Sequence, residues 1–551
     1  MLETIEVKIQ DKKQKVIKGI TLEEIASTYQ KEYKYPILIA KVNNRLRELS
    51  TEIYENATIE FLDLTTKEGN RCHISGLTYI LVYAIKRLYG QKSNIIVQHS
   101  LDKGIYIETN FKLTEEKLLD IKSMMKSIIE ADMPITRVTI DRLEAIEYFK
   151  SVNDLAKAGV MNYNVSDYVT LYRLGNSYNY FYNLMPISTS YLKSFDLTYI
   201  NEESFVLRFP TVYIHDKIKR YKHHPHMFEI FNICRDWAKL MHIENSVELN
   251  KVVSTGNIND LIKIAETIQS NRLLEVAKEI NERKNKTKVV LLAGPSSSGK
   301  TTTSRKLCMY LKSFGLKPRV ISMDDYFVEK KETPLNEEGK YDYECLEAVD
   351  LKLFDKQIAS LIKGEKVRIP TYNFILGKKE YKEEIQIEER DILIIEGIHA
   401  LDDRILTNIT RDKKYKIYIS ALTEINMDDH NRVATTDNRL LRRIIRDNRT
   451  RGYSVERTLE SWDAVRNGEE KYIFPFQDEA DYTINTSLIY EIGVLKTYVE
   501  PLLYSVPNNS PYYEEAKRLI NFLRLFLPIP PDAIPEDSVL REFIGNGYFH
   551  E

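Results

Sequence analysis

Eight consecutive residues, Gly294-Pro295-Ser296-Ser297-Ser298-Gly299-Lys300-Thr301, place two glycines, an amine and a hydroxyl at the spacing GxxxxGK[ST]. Glycines let successive backbone N–H groups turn toward phosphate oxygens, and a helix N-terminus behind them adds partial positive charge. Lys300 then reaches the β and γ phosphates, and the Thr301 hydroxyl holds Mg2+. Thr302 supplies the next amide. The apolar run Val289–Ala293 precedes the loop and TTSRKLCMYLKSF follows it. Strand, loop and helix are the context this chemistry needs.

Three further groups narrow the chemistry. The run from Arg319 to Ser322 leads into Asp324 and Asp325. At a strand's C-terminal end, one of these carboxylates can take the proton of an attacking hydroxyl; a solvated turn is the plainer reading of such a pair. The run Asp391–Glu396 ends in an acid that can reach Mg2+ directly or through water. Arg439, Arg442, Arg443 and Arg446 recur at i, i+3, i+4, i+7 and share a helix face, followed by Arg449, Arg451 and Gly452. A charge run of this kind is commonly a solvated face. Downstream of a phosphate loop it reads as a guanidinium-bearing lid that neutralises a triphosphate during transfer. No NKxD-type guanine-reading motif is evident, which disfavours a GTPase.

The elements that must position these groups follow from the pattern. From Lys286, short apolar strands (VVLLAG, RVISMDD, DILIIEGI, YKIYIS) alternate with helical stretches, which predicts an α/β unit with a parallel sheet. Residues 246–285 read as a helical connector. Residues 1 to about 65 read as a small β-rich module: Ile5–Ile9 alternates, Thr21-Leu22-Glu23-Glu24 offers a capping box, and Ile37–Val42 and Ala57–Leu62 are strand-like. A helix over Ser75–Tyr89 follows, then mixed elements to about 245. At roughly 150 residues per domain, 551 residues make about three or four domains. Lys plus Arg is 79 and Asp plus Glu 81, a net charge of -2, which argues against wholesale nucleic-acid coating. No apolar run approaches a membrane span, and MLETIEVKIQ does not read as a secretory leader. The four cysteines form no CxxC pair. The expectation is a cytoplasmic protein with reduced thiols.

The second half, over about residues 286–490, resembles the uridine kinase and phosphoribulokinase family. GPSSSGKTT matches its phosphate loop and SMDDYF its second-strand motif, with Asp324 on the catalytic base. KYDYECLEAVD looks like its substrate loop, with Asp342 on the acid that holds ribose hydroxyls. IPTYNF resembles a Pro-x-Tyr-Asp-Phe segment and places Tyr372 beside the acceptor. IIEGIHAL matches the magnesium-associated segment at Glu396. RLLRRIIRDNRTRG resembles the lid, with Arg443, Arg446 and Arg451 on its phosphate- and substrate-contacting arginines. The resemblance implies catalytic Asp324, Lys300 and Arg446, and ATP bound by Gly294 to Thr302 with Arg451. It also implies an acceptor on Asp342, Tyr372 and Arg443, and Mg2+ on Thr301, Glu396 and Asp324. The chain departs from the pattern at Asn373, at Gly377 or Lys378 where a base-contacting His is expected, at Tyr453 after the lid, and by two extra residues between Asp342 and Asp350. These departures touch base reading and leave phosphoryl transfer intact.

The first ~65 residues are similar to the TGS domain, a β-grasp module of threonyl-tRNA synthetases and stringent-response enzymes. Residues 66–245 are similar to the synthetase's second additional domain, its editing module. RCHISGLTYILVYAIKRLYG looks like that module's HxxxH helix, with His73 present and Leu77 in the second position. YRLGNSYNYFYNLMPISTSYLKSF resembles its Cys-x-Gly-Pro-His segment, with Tyr182 and Pro186 in the ligand places. One ligand of four cannot hold zinc, so no zinc is expected. Residues 286–551 are then expected to be a kinase that moves phosphate from ATP, with Mg2+, to a nucleoside-like hydroxyl compound. A phosphoribulokinase- or pantothenate-like small-molecule kinase is one alternative, and an RNA- or translation-associated ATP switch another. RNA is the less favoured partner, no membrane is expected, and an oligomer is compatible with the sequence.

Overall fold

The computed structural model describes residues 3–336, 339, 341–373, 376–388 and 390–549. Met1 and Leu2 of the first module, Lys340 of the expected substrate loop and Phe374 of IPTYNF lie outside the described residues.

Strands β1 (Thr4–Ile9) and β2 (Lys12–Ile17) form a hairpin; α1 (Leu22–Tyr29), β3 (Ile39–Val42), β4 (Arg45–Glu48) and β5 (Ala57–Leu62) follow. The sheet order is β2-β1-β5-β3-β4, with β1 and β5 parallel. Thr21 and Glu24 close a reciprocal capping box on α1, and Leu22, Ile25 and Ala26 pack on Val7, Ile9 and Phe61. Helix α2 (Lys67–Tyr89) starts eight residues before the apolar stripe suggests. The Thr66 hydroxyl accepts from the Gly69 N–H and nucleates the extra turns. Next come β6 (Ile95–Leu101), β7 (Gly104–Thr109), α3 (Glu115–Glu130), β8 (Ile135–Asp141), β9 (Tyr168–Leu174), β10 (Ser177–Asn179), β11 (Asp196–Asn201) and β12 (Ser204–Arg208). They build an antiparallel sheet β11-β12-β7-β6 and a smaller one, β8-β9-β10.

After α4 (Pro225–Leu240), the stretch expected to be a helical connector consists of two helices. α5 (Ser246–Ser254) and α6 (Ile258–Glu282) are separated at Gly256, whose φ of +79° suits a residue without a side chain. Nor is α6 a mere connector. Leu273, Val276, Ala277 and Ile280 share one face and are buried with Val290, Leu292 and Leu307 in a single core.

The second half is a parallel sheet of β13 (Val289–Ala293), β14 (Lys317–Ser322), β15 (Asp391–Glu396), β16 (Lys414–Ser420) and β17 (Tyr482–Asn485), in the order β14-β15-β13-β16-β17. Strand β13 is apolar throughout because both sheet faces are covered. Val289, Leu291 and Ala293 face one core with Met323 and Phe354, and Val290 and Leu292 face the other. Each such side chain larger than alanine stabilises the fold by ~1.5–3 kcal/mol. The order reverses beside β13, so a crevice opens at the strands' C-terminal ends.

Candidate active site

The chain leaves β13 at Ala293 and turns at once. Gly294 lies so close to β16 that a Cβ there would sit 2.3 Å from the Ile419 carbonyl oxygen. Gly299, at φ +85°, turns the loop into a helix over Lys300–Ser313 that has no side-chain cap. Its first N–H groups therefore face an anion site. Lys300 lies across the loop: its Nζ donates to the carbonyls of Gly294 (2.9 Å) and Pro295 (3.2 Å). Burial lowers its pKa, against the attraction of Asp324, Glu396 and Glu542. Ser297 and Ser298 are buried, and Thr301 stands half-buried in the first helical turn.

The paired acids have different surroundings. β14 ends at Ser322, and a single 3-10 turn over Met323–Tyr326 carries both. The Tyr372 N–H donates to Asp325 Oδ1 at 3.1 Å, which ties Asp325 to the hairpin formed by the antiparallel strands Val367–Asn373 and Lys378–Ile385. Asp324 faces the crevice. Its surface meets water, yet the protein mass around it desolvates the carboxylate and raises its pKa, opposed by Lys300 and Arg451. Glu396, the last residue of β15, accepts from Ser304 Oγ at 3.3 Å. Burial, with Glu542 and Asp324 adding to it, pushes Glu396 up to about 7 against the pull of Lys300. Acids crowded beside one ammonium form a site that a divalent cation relieves, and Mg2+ commonly uses one or two carboxylates plus phosphate oxygens. Thr301, Asp324 and Glu396 thus fit the ion expected there. Among the described residues, no cluster of three or more His, Cys, Asp or Glu can hold a metal on its own.

The arginine run divides into two groups. It lies on a helix over Thr435–Arg451 that ends at Gly452, φ +63°. Arg439 and Arg442 are fully buried and ion-paired, with Glu469 and Glu491. They brace the loop: Arg439 Nε donates to the Ser296 carbonyl at 2.9 Å, and the Ser296 N–H donates to Glu469 at 3.1 Å. The shared face expected of these arginines is therefore partly structural, because a helix packed on the loop must turn some of its stripe inward. Arg443 reaches Ser296 Oγ at 2.8 Å. Arg443, Arg446 and Arg451 all ion-pair with buried Asp447, at 3.3, 2.8 and 3.4 Å. Where the lid pattern expects an arginine, Tyr453 carries the Arg457 guanidinium 3.7 Å over its ring.

Of the residues expected to meet the acceptor, Tyr372 is buried edge-on to Phe327, with ring centroids 5.7 Å apart. Asp342 Oδ1 accepts from the Glu344 N–H at 3.0 Å. Glu344, two residues on and missed from sequence, has Arg443, Asp324 and Lys300 within electrostatic reach. Burial pushes it up to about 7, with Arg443 opposing and Glu469 and Asp324 adding.

The second residue missed from sequence is Glu542. Its Oε2 accepts from the Thr302 N–H at 3.0 Å, inside the phosphate-facing turn. Arg449 holds it there by donating to the carbonyls of Phe543 (3.1 Å) and Glu542 (2.9 Å). Val539 fills the space beside Gly299. A contact across 240 residues leaves no local trace in the sequence.

In the first half, His73 is 1% exposed, its Nε2 lies 3.3 Å from the Ser194 carbonyl, and burial pulls its pKa down to about 4. Leu77 is buried in the same helix, and Pro186 packs against Gly76. Tyr182 packs toward the core of the second half. His224 bridges Asp478 (2.8 Å) and Asp102 (3.6 Å).

Residues 289–489 match the model of the Phosphoribulokinase / Uridine kinase family. A uridine kinase of Staphylococcus carnosus is 28% identical over 222 residues, covering 40% of this chain and 98% of its own. A threonine–tRNA ligase of Exiguobacterium is 28% identical over 184 residues, 32% of this chain and 28% of that protein, in the N-terminal region. Among solved structures, D-glycerate 3-kinase of Cryptococcus neoformans aligns at 16% identity and a TM-score of 0.22, covering 48% of this chain and 90% of that one. A strand ending in a phosphate loop, a parallel sheet beneath it and the family match coincide on one segment: the C-terminal half contains a P-loop kinase domain of the phosphoribulokinase/uridine kinase family.

Proposed function

We propose that the second half transfers the γ-phosphoryl group of ATP to a hydroxyl of a nucleoside-like small molecule, in the manner of a uridine kinase. The observation that carries this reading is the separation of the paired acids. Asp325 is tied to the hairpin, while Asp324 faces Lys300 and Arg451 at the ligand edge of the sheet. A switch needs no base for an acceptor hydroxyl, so this favours a kinase.

The loop amides from Gly294 to Thr302 would cradle the triphosphate, and Lys300 would leave its two carbonyls to neutralise the β,γ-bridge. Bound Mg2+, held by Thr301, Glu396 and Asp324, would supply charge neutralisation between the phosphates. Asp324 would accept the acceptor's proton. Arg446 and Arg451 would exchange Asp447 for phosphate oxygens. Arg443, Asp342 and Tyr372 line the acceptor side, and Glu344 would share its hydroxyl recognition with Asp342.

In this reading, residues 1–65 are a TGS-like β-grasp module and residues 66–245 an editing-domain-like module without zinc. The sheet order β2-β1-β5-β3-β4 and the ligase match support it. This half would serve as a regulatory or substrate-binding appendage. ADP release by the purified protein, measured against a nucleoside panel with and without RNA, tests the proposal. A nucleoside that raises turnover supports it; stimulation by RNA alone would replace it with the switch.

A further inference from the structure

A cavity of about 760 Å³ lies where the two halves meet, within the range of small-molecule sites. One wall comes from α2, the β6–β7 turn and the segment before α4, and the other from the kinase half, including Pro295 and Arg439 behind the phosphate loop. Phe209, Tyr213, Phe231, Tyr418, Trp462 and Phe474 line it.

The charges of this wall do not cancel. Each wall carboxylate has a cation: Asp102 has Arg208 (3.5 Å), Asp437 has Arg518 (2.7 Å), Glu515 has Arg71 (2.7 Å), and Glu470 has Lys103 and Arg466. Lys67 pairs with Asp463, Lys222 with Asp478, and Arg439 with Glu469. Arg432 and Lys219 are left over, with no hydrogen bond or ion pair among the described residues. Arg432 is half-buried, and burial holds its pKa below the ordinary arginine value. The backbone that carries it is held by a bridge between Asn426 and Arg432 and by Asp428 accepting from the Asn431 N–H at 3.1 Å. Tyr182 and Asp437 attract it electrostatically but neither is hydrogen-bonded to it, so the desolvated guanidinium keeps N–H donors for which a phosphate is a strong acceptor.

We propose that this cavity is a binding site for a small phosphorylated molecule. Its phosphate would be taken by Arg432 and Lys219, and its ring or apolar body by the aromatic wall. A guanidinium offers a phosphate two parallel N–H donors, and the ammonium adds a second charge. Of the loop residues 294–302, Pro295, which has no N–H to offer a phosphate, is the one that lines it.

Phenyl phosphate, with one ring and one phosphate, is the probe. Calorimetric titration of the full chain carrying Lys300→Ala, which weakens phosphate binding at the loop, is expected to retain one site. In that background Arg432→Met should weaken binding at least ~10-fold, Lys219→Met a few-fold, and Arg432→Lys less than Arg432→Met. Inorganic phosphate should bind more weakly than phenyl phosphate. Unchanged affinity in Arg432→Met, or no site at all in Lys300→Ala, overturns the proposal. If Arg432→Met fails to fold, Lys219→Met decides, since Lys219 is exposed, and unchanged affinity there overturns it equally. None of these outcomes depends on kinase turnover.

Discussion

Glu542 is the carboxylate that ATP must displace. It accepts from the Thr302 N–H at 3.0 Å in the turn where a triphosphate oxygen would bind. A hydrogen bond to a charged group contributes ~1.5–3 kcal/mol, and a helix N-terminus adds ~0.3–1 kcal/mol for a nearby anion. Glu542 is half-exposed, so the lower end of that range applies. Removing the carboxylate should therefore tighten ATP binding by about 1.5–2.5 kcal/mol, roughly 10- to 100-fold at about 1.4 kcal/mol per decade. Glu542→Ala tests the full effect. Glu542→Gln, which keeps the shape and loses the charge, should fall between. The rest of the segment stays anchored by Arg449 and Val539, so neither change should release it. Titrating ATP into the protein without Mg2+ or acceptor gives the Kd directly. Unchanged or weaker ATP affinity in Glu542→Ala would refute the argument and make Glu542 part of the nucleotide pocket.

Lys300→Ala should remove most activity, whereas Asp324→Asn should bind ATP normally and lower kcat by ~10²-fold or more; normal turnover of Asp324→Asn would move the base to Asp325. With Gly377 or Lys378 where a base-contacting His is expected, kcat/KM for uridine should exceed that for adenosine by less than ~10³-fold, and a larger ratio means that another residue reads the base. Glu344 is pushed from 4.5 to about 7 on folding. A carboxyl raised in this way favours the folded state while protonated, so its contribution is complete below about 4.5 and is lost as pH rises through about 7. Urea unfolding of the unliganded protein between pH 5 and 8 should accordingly show a steeper loss of stability than Glu344→Gln; parallel curves contradict this. Elemental analysis of untagged protein should find no stoichiometric zinc, and one zinc per chain that disappears in His73→Ala would reverse the reading of the first half.

Local order carried most of the phosphate site. Gly294, Gly299, Lys300 and Thr301 fall within eight contiguous residues whose spacing already requires strand, loop and helix, and β13 and the following helix take those places. The continuous burial of Val289–Ala293 and the face of Leu273, Val276, Ala277 and Ile280 are likewise written in the residue order. Sequence alone could not say that α6 joins the kinase core, because an amphipathic stripe names a buried face and not its partner. Nor could it divide the arginine stripe, in which equal spacing gave Arg439 and Arg443 the same rank. Packing then buried the first against Glu469 and left the second on Ser296. The roles of Glu344 and Glu542 and the uncompensated charge of Arg432 depend on contacts between distant segments. Pairwise distance and desolvation set them, and neither quantity exists until the chain has folded.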